Sequence, residues 1–436
     1  MTQMAPVVGA SRRGLASWCL YDWANSAFPT VIETFVFAAF FTRAVAADVE
    51  SGTAQWGLAV GAAGAAVAVL SPVLGAVADR AGARKPWLGV FTCLCAVSAA
   101  MLWFTEPKPS DTAWALVWFA LGTLAFELGQ VFYNAMLVDL APPGRLGRLS
   151  GWAWGLGYAG GLCCLAISLW GFIQASPPPF GLDPAAQEPV RATTLLVALW
   201  LAVFSLPIFL WTPDRGPTGI GLRRAVREGL ADLWRTLKRL PHEARIGRFL
   251  LARMIYTDGL NTIFAFGGIY AAGSFGMDFD EIILFGIALN VTAGLGAAGC
   301  AWIDDWLGPK PTILMALAAL TAIGVGLLAV ETKAMFWILG LGLGAFFGPA
   351  QAASRSLMAR LVPREQVGEY FGLYAFTGKA TAFLGPLILA WVTLETGSQR
   401  AGMATTLVFL VVGFVLLLSV RAPGGRDIGG AIHDGA

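Results

Sequence analysis

Apolar residues occur along this chain in long runs, and the short segments between the runs carry most of the charges. A membrane-spanning helix needs about 20 apolar residues. Twelve runs have that length, and the breaks between them hold turn-forming combinations such as EPKPSD, SPPPFGLDP and LGPKP. The pattern therefore predicts twelve membrane-spanning helices. They cover residues 16–42, 54–78, 86–105, 112–139, 149–174, 192–212, 249–273, 280–303, 311–330, 334–358, 368–394 and 402–420.

The composition indicates an all-α integral membrane protein. Hydrophobic residues make up 57% of the 436 residues and charged residues only 13%, whereas a soluble domain carries roughly 25% charged residues. The six cysteines lie inside apolar runs without metal-ligand spacing, and the chain has two histidines. We therefore expect no metal site, no cofactor, no nucleic-acid partner and no enzymatic histidine or cysteine chemistry.

The basic residues are distributed unequally between the two sides of the membrane. If both termini are cytoplasmic, that side holds 21 lysines and arginines, the opposite side holds five, and three lie within spans. Cytoplasmic loops are enriched in lysine and arginine. The distribution predicts a multi-pass protein of the cell (inner) membrane with both termini in the cytoplasm. The first run is too long and too charged for a removable signal peptide, so we expect it to be a retained helix.

The longest polar segment, residues 213–248, contains apolar residues at helical spacing. They are Leu222, Val226, Leu230, Leu233, Leu237 and Leu240. Basic residues occupy much of the remaining surface, so the segment predicts an amphipathic helix on the cytoplasmic membrane surface. Such a helix would tether two halves of the protein; binding of a partner protein is the alternative.

The chain repeats itself internally. The pattern DxxNSxF at 22–28 recurs as DxxNTxF at 258–264, and GxxxDRxGxRK at 75–85 has a weaker copy at 301–311. Six further pairs share an offset of 221: Gln130 and Gln351, Leu140 and Leu361, Pro142 and Pro363, Gly147 and Gly368, Gly151 and Gly372, and Gly157 and Gly378. A duplicated six-helix unit explains all three matches. Because six spans return the chain to its starting side, the copies must be parallel, with the solute site near mid-membrane between them. The predicted domains are 1–212, a linker at 213–248, and 249–436.

Several of these segments resemble a known family. GAVADRAGARK is similar to the loop motif between helices 2 and 3 of the major facilitator superfamily. YDWANSAFPTVIETFVF, VFYNAMLVDLAPPGRLGRLSGWAWGLGYAGG, YTDGLNTIFAFGGIYA and SRSLMARLVPREQVGEYFGLYAFTGKATAFLGP resemble the fungal autophagy-linked vacuolar amino-acid effluxers and their bacterial relatives. The resemblance implies the major facilitator fold and a secondary transporter. For the fungal members it implies export of amino acids from the vacuole.

Polar and charged residues inside the spans are the candidate solute-binding or coupling groups, since a charge at mid-membrane costs about 2.5–3.5 kcal/mol. On span 1, Asp22, Asn25 and Glu33 are spaced so that a regular α-helix places them on one stripe. Span 4 repeats this design. The candidates are Glu33, Glu127, Gln130, Asn134, Asp258, Asn261, Gln351, Arg355, Tyr374 and Lys379.

The signs of these charges suggest a zwitterionic solute. Glu33 and Glu127 in the first half would bind its ammonium, and Arg355 or Lys379 in the second half would bind its carboxylate. Structural pairing of the same residues is the alternative, and other polar or anionic solutes are a third. Glu33 and Glu127 are the preferred candidates for coupling to a proton, ahead of Asp22 and Asp258.

A second group of residues is assigned to gating. It consists of Asp22, Asn25, Asp79, Arg80, Arg84, Lys85, Asp305 and Lys310. The resemblance implies that Asp79 lies near a helix N-terminus and that its basic neighbours hold the outward-open state. Simple orientation by positive charge is the alternative. Trp306 follows Asp305 where the first copy has an arginine, so we expect the second contact to be weaker.

The leading function is secondary transport, by a monomer in the lipid bilayer, of a small polar solute such as an amino acid, with H+ as a candidate coupling ion. Efflux of amphipathic drugs is an alternative that the 17 tryptophans and 28 phenylalanines would suit. A non-transporting membrane sensor built on a transporter scaffold is an alternative of another class.

Overall fold

The computed structural model describes residues 10–243 and 245–421, and within them every regular element is helical. Arg426, one of the 21 basic residues assigned to the cytoplasmic side, lies outside the described residues, as do both chain termini. The α-helices are α1 (Arg12–Asn25), α2 (Phe37–Phe40), α3 (Val49–Ala81), α4 (Lys85–Met101), α5 (Thr112–Leu140), α6 (Leu146–Ala166), α7 (Glu188–Trp211), α8 (Leu222–Arg239), α9 (Ile246–Phe275), α10 (Phe279–Leu307), α11 (Pro309–Ala329), α12 (Lys333–Leu361), α13 (Val367–Lys379), α14 (Leu384–Thr396) and α15 (Gln399–Leu418).

Eleven of the twelve predicted spans are long and apolar enough to cross a membrane by composition alone. The remaining one is α9, which is 30 residues long but contains Arg253, Asp258 and Asn261. Its length is sufficient at 1.5 Å per residue. These polar side chains lower its mean hydropathy, so α9 depends on its neighbours to shield them.

The first predicted span is not a continuous α-helix, so the regular α-helical spacing assumed for its polar stripe is not kept. The first α-helix ends at Asn25, and a π-helix covers Phe28–Phe35, followed by α2 and a second π-helix over Phe41–Val45. Pro29 has no N–H to donate to the α-helical ladder. Because a π-helix bonds residue i to i+5, Glu33 does not keep the 3.6-residue register with Asp22.

The eleventh predicted span is broken near its middle, where a continuous helix over 368–394 was expected. Residues 380–383 form turns between α13 and α14. Pro386 explains the position of this break, because it cannot donate to the carbonyl four residues earlier. It lies instead in the first turn of α14, where N–H groups have no helical partner.

The described chain forms two compact units. Unit 1 contains the residues up to Leu70, Gly82–Met136 and Leu156–Thr218. Unit 2 contains Ser71–Ala81, Leu137–Gly155 and the residues from Gly219 onward. The units group spatial contacts rather than sequence repeats, so the division into 1–212, 213–248 and 249–436 stays a prediction.

Each unit has its own packed interior. In unit 1, the rings of Trp18 and Tyr133 stack with centroids 4.4 Å apart. The indole of Trp18 donates to the carbonyl of Tyr133 at 3.1 Å, and the Tyr133 hydroxyl donates back to the carbonyl of Trp18 at 3.0 Å. In unit 2, α9 packs along α15, and α12 packs along α10 and α11. Gly413 permits the first of these contacts, since a Cβ there would lie 2.5 Å from the Cβ of Tyr256.

The predicted helix in the linker is present as α8, and it packs within unit 2. Its Gly229 lies against the backbone of Ala76, where an added Cβ would be 3.0 Å away. Leu233 is buried on the same side, whereas Leu230 and Trp234 are exposed. The helix therefore uses one face for packing and leaves an apolar stripe uncovered. Its placement on the membrane surface stays a prediction.

Candidate functional site

Asp79, at the end of α3, caps the N-terminus of α13. Its Oδ1 accepts a hydrogen bond from the N–H of Gly368 and its Oδ2 one from the N–H of Glu369, each at 2.9 Å. First-turn N–H groups lack partners within a helix, and the helix dipole favours a carboxylate there. Gly75 and Gly368 allow the two backbones to meet, because a Cβ on either would overlap the other residue's backbone. A charged contact thus joins α3 to α13.

Asp305, at the end of α10, makes the corresponding contact with α6. Its Oδ1 accepts from the N–H of Gly147 at 2.9 Å, and its Oδ2 accepts from the N–H of Arg148 at 3.3 Å. Gly147 and Gly368 form one of the pairs at offset 221, and both are the second residue of their helix. The repeat seen in the sequence is therefore present in the geometry of these two caps.

Two arginines bind Asp305 in addition to the backbone of α6. Arg148 Nε donates to Asp305 at 2.7 Å, and Arg360 approaches Asp305 to 3.4 Å. Arg360 also pairs with Asp304 at 3.0 Å, and both side chains are 3% exposed. Trp306, which follows Asp305 in the chain, is exposed. The cations at Asp305 therefore come from α6 and α12, and the expectation of a weaker second contact stays a prediction.

Arg80 joins α3 to the linker helix α8. Its guanidinium hydrogen-bonds Asp232 of α8 and lies 3.8 Å from Glu228. Arg224, one turn earlier on α8, donates to Glu228 at 2.6 Å, and this hydrogen bond lowers the pKa of Glu228. The Glu228 carboxylate is therefore available as an anion near Arg80.

Lys85 and Lys310, both assigned to gating, cap the C-termini of the last helix of each half. Lys85 Nζ donates to the carbonyl of Phe209 in α7 at 2.9 Å. Lys310 Nζ donates to the carbonyls of Leu418 and Val420, at 2.9 and 2.7 Å. Terminal carbonyls of a helix favour a cation. These two lysines therefore form a second pseudo-symmetric pair, and their described contacts are helix caps away from Asp79 and Asp305.

Arg84 is buried inside unit 1. Its backbone N–H, with that of Lys85, donates to the carboxylate of Asp214, at 2.9–3.1 Å. Its guanidinium donates to the carbonyl of Ala135 at 2.5 Å, and the side chain is 1% exposed. Arg84 therefore fastens the start of α4 to α5.

Asp22 and Asn25 lie at a packed contact between α1 and α6 in unit 1. They are buried, at 6% and 4% exposure. A Cβ on Gly157 of α6 would be 2.8 Å from the Ser26 hydroxyl and 3.4 Å from the carbonyl of Asp22. This close approach is compatible with the predicted role in gating or helix pairing.

The remaining candidates of unit 1 are half-buried. Glu33 lies in the first π-helix, and Glu127, Gln130 and Asn134 lie on α5. Since α5 is continuous, their spacing of three and four residues does place these three on one face. In unit 2 the half-buried candidates are Asn261, Gln351 and Lys379. Partial exposure is the property that a solute-binding group needs.

Arg355 is 2% exposed and bound to α6. Its Nε donates to the Ser150 hydroxyl at 2.9 Å, and an Nη donates to the Ser150 carbonyl at 2.7 Å. The Ser150 hydroxyl donates in turn to the carbonyl of Ala352 at 2.8 Å. The guanidinium also faces the Trp154 ring, 5.7 Å from its centroid. These contacts are compatible with structural pairing, the alternative to solute binding.

Two charges on α9 lie at the two sides of the break in span 11. Arg253 donates from Nη1 to the carbonyl of Tyr374 at 2.6 Å and to the Thr377 hydroxyl at 2.9 Å, near the C-terminus of α13. Its guanidinium lies 3.4 Å from the centroid of the Tyr374 ring. Asp258 Oδ2 accepts from the N–H of Gly385, at the N-terminus of α14, at 3.3 Å. Each charge therefore complements the dipole of the half-helix that it contacts.

Three residues that these contacts require were not among the predicted site residues. Arg253 is one of the three basic residues counted within spans, and its position five residues before Asp258 was the available signal. Asp232 carried no sequence signal beyond its place on an amphipathic helix. Ser150 carried none, because its role depends on Arg355, 205 positions away.

The Asp305 contact can be tested by removing its carboxylate. We expect Asp305→Asn to lower the free energy of unfolding by about 1–3 kcal/mol, because Asp305 caps α6 and also binds Arg148 and Arg360. Thermal unfolding of the purified variant measures the loss. Glu395→Gln, at an exposed position of α14, is the control. A loss of stability no larger than that of the control would contradict this role of Asp305.

The chain matches a known protein family. The profile of the family described as "Vacuole effluxer Atg22 like" matches residues 144–428. An uncharacterized MFS-type transporter of Bacillus subtilis, YxiO, is 29% identical over 94% of this chain and 96% of its own length. Autophagy-related protein 22 of Yarrowia lipolytica is 24% identical over 69% of this chain. This chain spans about half the length of such fungal relatives (55% of that one).

Solved structures of major facilitator transporters show the same fold. The transporter FucP in its outward conformation superimposes with a TM-score of 0.73 at 13% identity, over 94% of this chain and 99% of its own. The human organic anion transporter MFSD10 gives 0.70 at 18% identity, over 93% and 99%. At these identities the likeness establishes the fold alone. The predicted major facilitator fold is confirmed.

Proposed function

Because this chain belongs to the Atg22-like vacuole effluxer family of major facilitator transporters, we propose that it moves an amino acid or a related zwitterion by alternating access. It is a multi-pass membrane protein, and transporters of this superfamily carry small solutes. The zwitterion and the direction of transport are our proposal, as is its location in the cell (inner) membrane with both termini in the cytoplasm.

The sorting of half-buried charges by sign is the observation that carries this proposal. In unit 1, the half-buried charged candidates are the carboxylates Glu33 and Glu127. In unit 2, the half-buried charged candidate is Lys379, beside the break in span 11. A charge within a membrane span is costly, and such charges commonly mark the path of a solute or an ion.

Each set of charges would bind the oppositely charged end of the solute. Glu33 or Glu127 binds the ammonium, and Lys379 binds the carboxylate. Arg355 is the second candidate for binding the carboxylate, because its guanidinium already hydrogen-bonds Ser150. Gln130, Asn134, Asn261 and Gln351 supply neutral hydrogen-bonding groups, and Tyr374 positions Arg253. Glu33 and Glu127 were also the preferred sequence-based candidates for proton coupling, ahead of Asp22 and Asp258.

A ligand-stabilisation screen followed by flux measurements tests the function. Purified protein is heated with amino acids, dipeptides, organic acids or amphipathic cations, and active ligands are then followed in proteoliposomes. We expect zwitterionic amino acids to raise the unfolding temperature and to be transported. Stabilisation by amphipathic cations alone would establish the drug-efflux alternative and overturn this proposal. Binding without flux would establish a sensor.

Single substitutions test the two charged subsites. We expect Glu33→Gln and Lys379→Met each to weaken amino-acid binding by about 30-fold or more, since loss of one partner of a desolvated ion pair costs at least about 2 kcal/mol. Lys108→Met, in an exposed loop pair with Glu106, is the matched control and should bind normally. Unchanged affinity in Lys379→Met would leave Arg355 as the carboxylate partner, which Arg355→Ala then tests.

A further inference from the structure

Asp258 is a buried carboxylate with one bonded and one unpaired oxygen. The side chain is 2% exposed. Oδ2 accepts from the N–H of Gly385, whereas Oδ1 is buried and has no hydrogen-bond partner among the described residues. An unsatisfied buried acceptor is costly, more so on an ionised group. A proton on Oδ1 would remove that cost.

The hydrogen-bonded oxygen, Oδ2, contacts the start of the half-helix α14. Gly385 is the second residue of α14, and a Cβ there would overlap the Thr262 hydroxyl and lie 3.1 Å from Asp258 Oδ1. The N-terminus of α14 therefore rests directly on α9. The negative charge of Asp258 stabilises this contact through both the hydrogen bond and the helix dipole. Neutralising the charge weakens both interactions.

The other half-helix, α13, is held by a guanidinium group. Arg253 binds the Tyr374 carbonyl and the Thr377 hydroxyl of α13, and an arginine remains charged throughout the physiological pH range. A change in pH would therefore release α14 while α13 stays attached to α9. The broken span would hinge at residues 380–383.

The elements packed against α9 are α10, α12, α13, α14 and α15. Their charged and titratable residues are Asp280, Glu281, Cys300, Asp304 and Asp305 on α10, Lys333, Arg355 and Arg360 on α12, Glu369, Tyr370, Tyr374 and Lys379 on α13, Glu395 on α14 and Arg400 on α15. On α9 itself, apart from Asp258, they are Arg248, Arg253, Tyr256 and Tyr270. The described residues contain no group of three or more metal-ligating side chains, which favours a proton over a metal ion as the ligand.

We propose that Asp258 binds the proton that drives transport, and that its protonation frees the N-terminus of α14. The proton comes from solvent, adds to Oδ1, and leaves when the carboxylate again caps α14; no other bond is made or broken covalently. The coupling to transport rests on the proposed function, whereas proton binding by Asp258 does not. On this proposal Glu33 and Glu127 bind the solute, and the coupling proton is bound by Asp258 on α9 of unit 2.

Two measurements without any solute test this proposal. Infrared difference spectra between acidic and alkaline buffer should show a protonated-carboxyl band in the wild type that is lost in Asp258→Asn. Hydrogen–deuterium exchange of residues 380–388, corrected for intrinsic rates, should rise about five-fold on acidification in the wild type, the factor for loss of a cap of about 1 kcal/mol. In Asp258→Asn the exchange should be fast at both pH values.

Two further variants complete the design. Glu395→Gln, exposed on the same half-helix, should keep the band and the pH dependence. Asp258→Glu keeps a titratable carboxyl and should shift the band rather than remove it, even where Asp258→Asn folds poorly. A band and a pH dependence that survive in Asp258→Asn would overturn the proposal. Absence of transport for every solute would instead overturn the proposed function and leave these spectra unchanged.

Discussion

Replacing Arg360 with methionine will lower the free energy of unfolding by about 3–5 kcal/mol, the cost of leaving a buried carboxylate without its cation. Arg360 and Asp304 are each 3% exposed and lie 3.0 Å apart. Asp304 has one further described donor, the Ser356 hydroxyl at 3.1 Å, which is neutral. The adjacent Asp305 also loses a cation at 3.4 Å. Denaturant or thermal unfolding of the purified variant measures the loss.

A double substitution separates the buried charge from the packing. Asp304→Asn with Arg360→Met removes both charges and should recover most of the stability, because the uncompensated carboxylate is gone. Lys333→Met removes an exposed ion pair with Glu281 and should leave the unfolding midpoint unchanged. If the double variant is as unstable as Arg360→Met, the effect comes from lost packing rather than from an unpaired charge.

The substitution Gly75→Ala will increase the distance between the end of α3 and the start of α13. An added Cβ would overlap the carbonyl of Gly368, and backbone cannot move aside as a flexible side chain does. Such overpacking costs about 1–3 kcal/mol. We expect the population in which the Asp79 cap is closed to fall by about five- to 100-fold. Spin labels at Ala81 and Arg364, in a background without the native cysteines, report the separation as a new, longer distance.

Gly61, on the same helix, provides the matched control. No atom lies within 4 Å of the position that a Cβ would take there, so Gly61→Ala should keep the wild-type distance. Gly368→Ala, on the other side of the contact, should reproduce the effect of Gly75→Ala, since its Cβ would meet the Gly75 carbonyl and Asp79 Oδ1. A Gly75→Ala variant with unchanged distances would show that the contact tolerates a methyl group. Glycine would then not be required at this position for the close approach of α3 and α13.

The fold could be predicted almost completely from the sequence, whereas the contacts of the candidate site could not. Long apolar runs, their number and the pairs at an offset of 221 are properties of neighbouring or corresponding positions, and they were sufficient to predict twelve spans in two copies. The major facilitator fold was predicted from the resemblance of segments such as GAVADRAGARK, and the solved structures confirm it. Arg355 could be found as an intramembrane charge, but its bond to Ser150 could not. Such a partner is set by how α12 packs against α6, which no local pattern encodes.

The sequence by itself determined which residues carry charge into the membrane, where the spans lie, and that the chain is duplicated. This was possible because hydropathy and internal repeats depend only on the order of residues along the chain. Only the tertiary structure decided that span 1 continues as a π-helix after Asn25 and that span 11 breaks at 380–383. It also decided that Arg253 and Asp258 hold the two half-helices. Hydrogen bonds to exposed helix ends depend on distance and direction in space, and these arise only when the helices have packed.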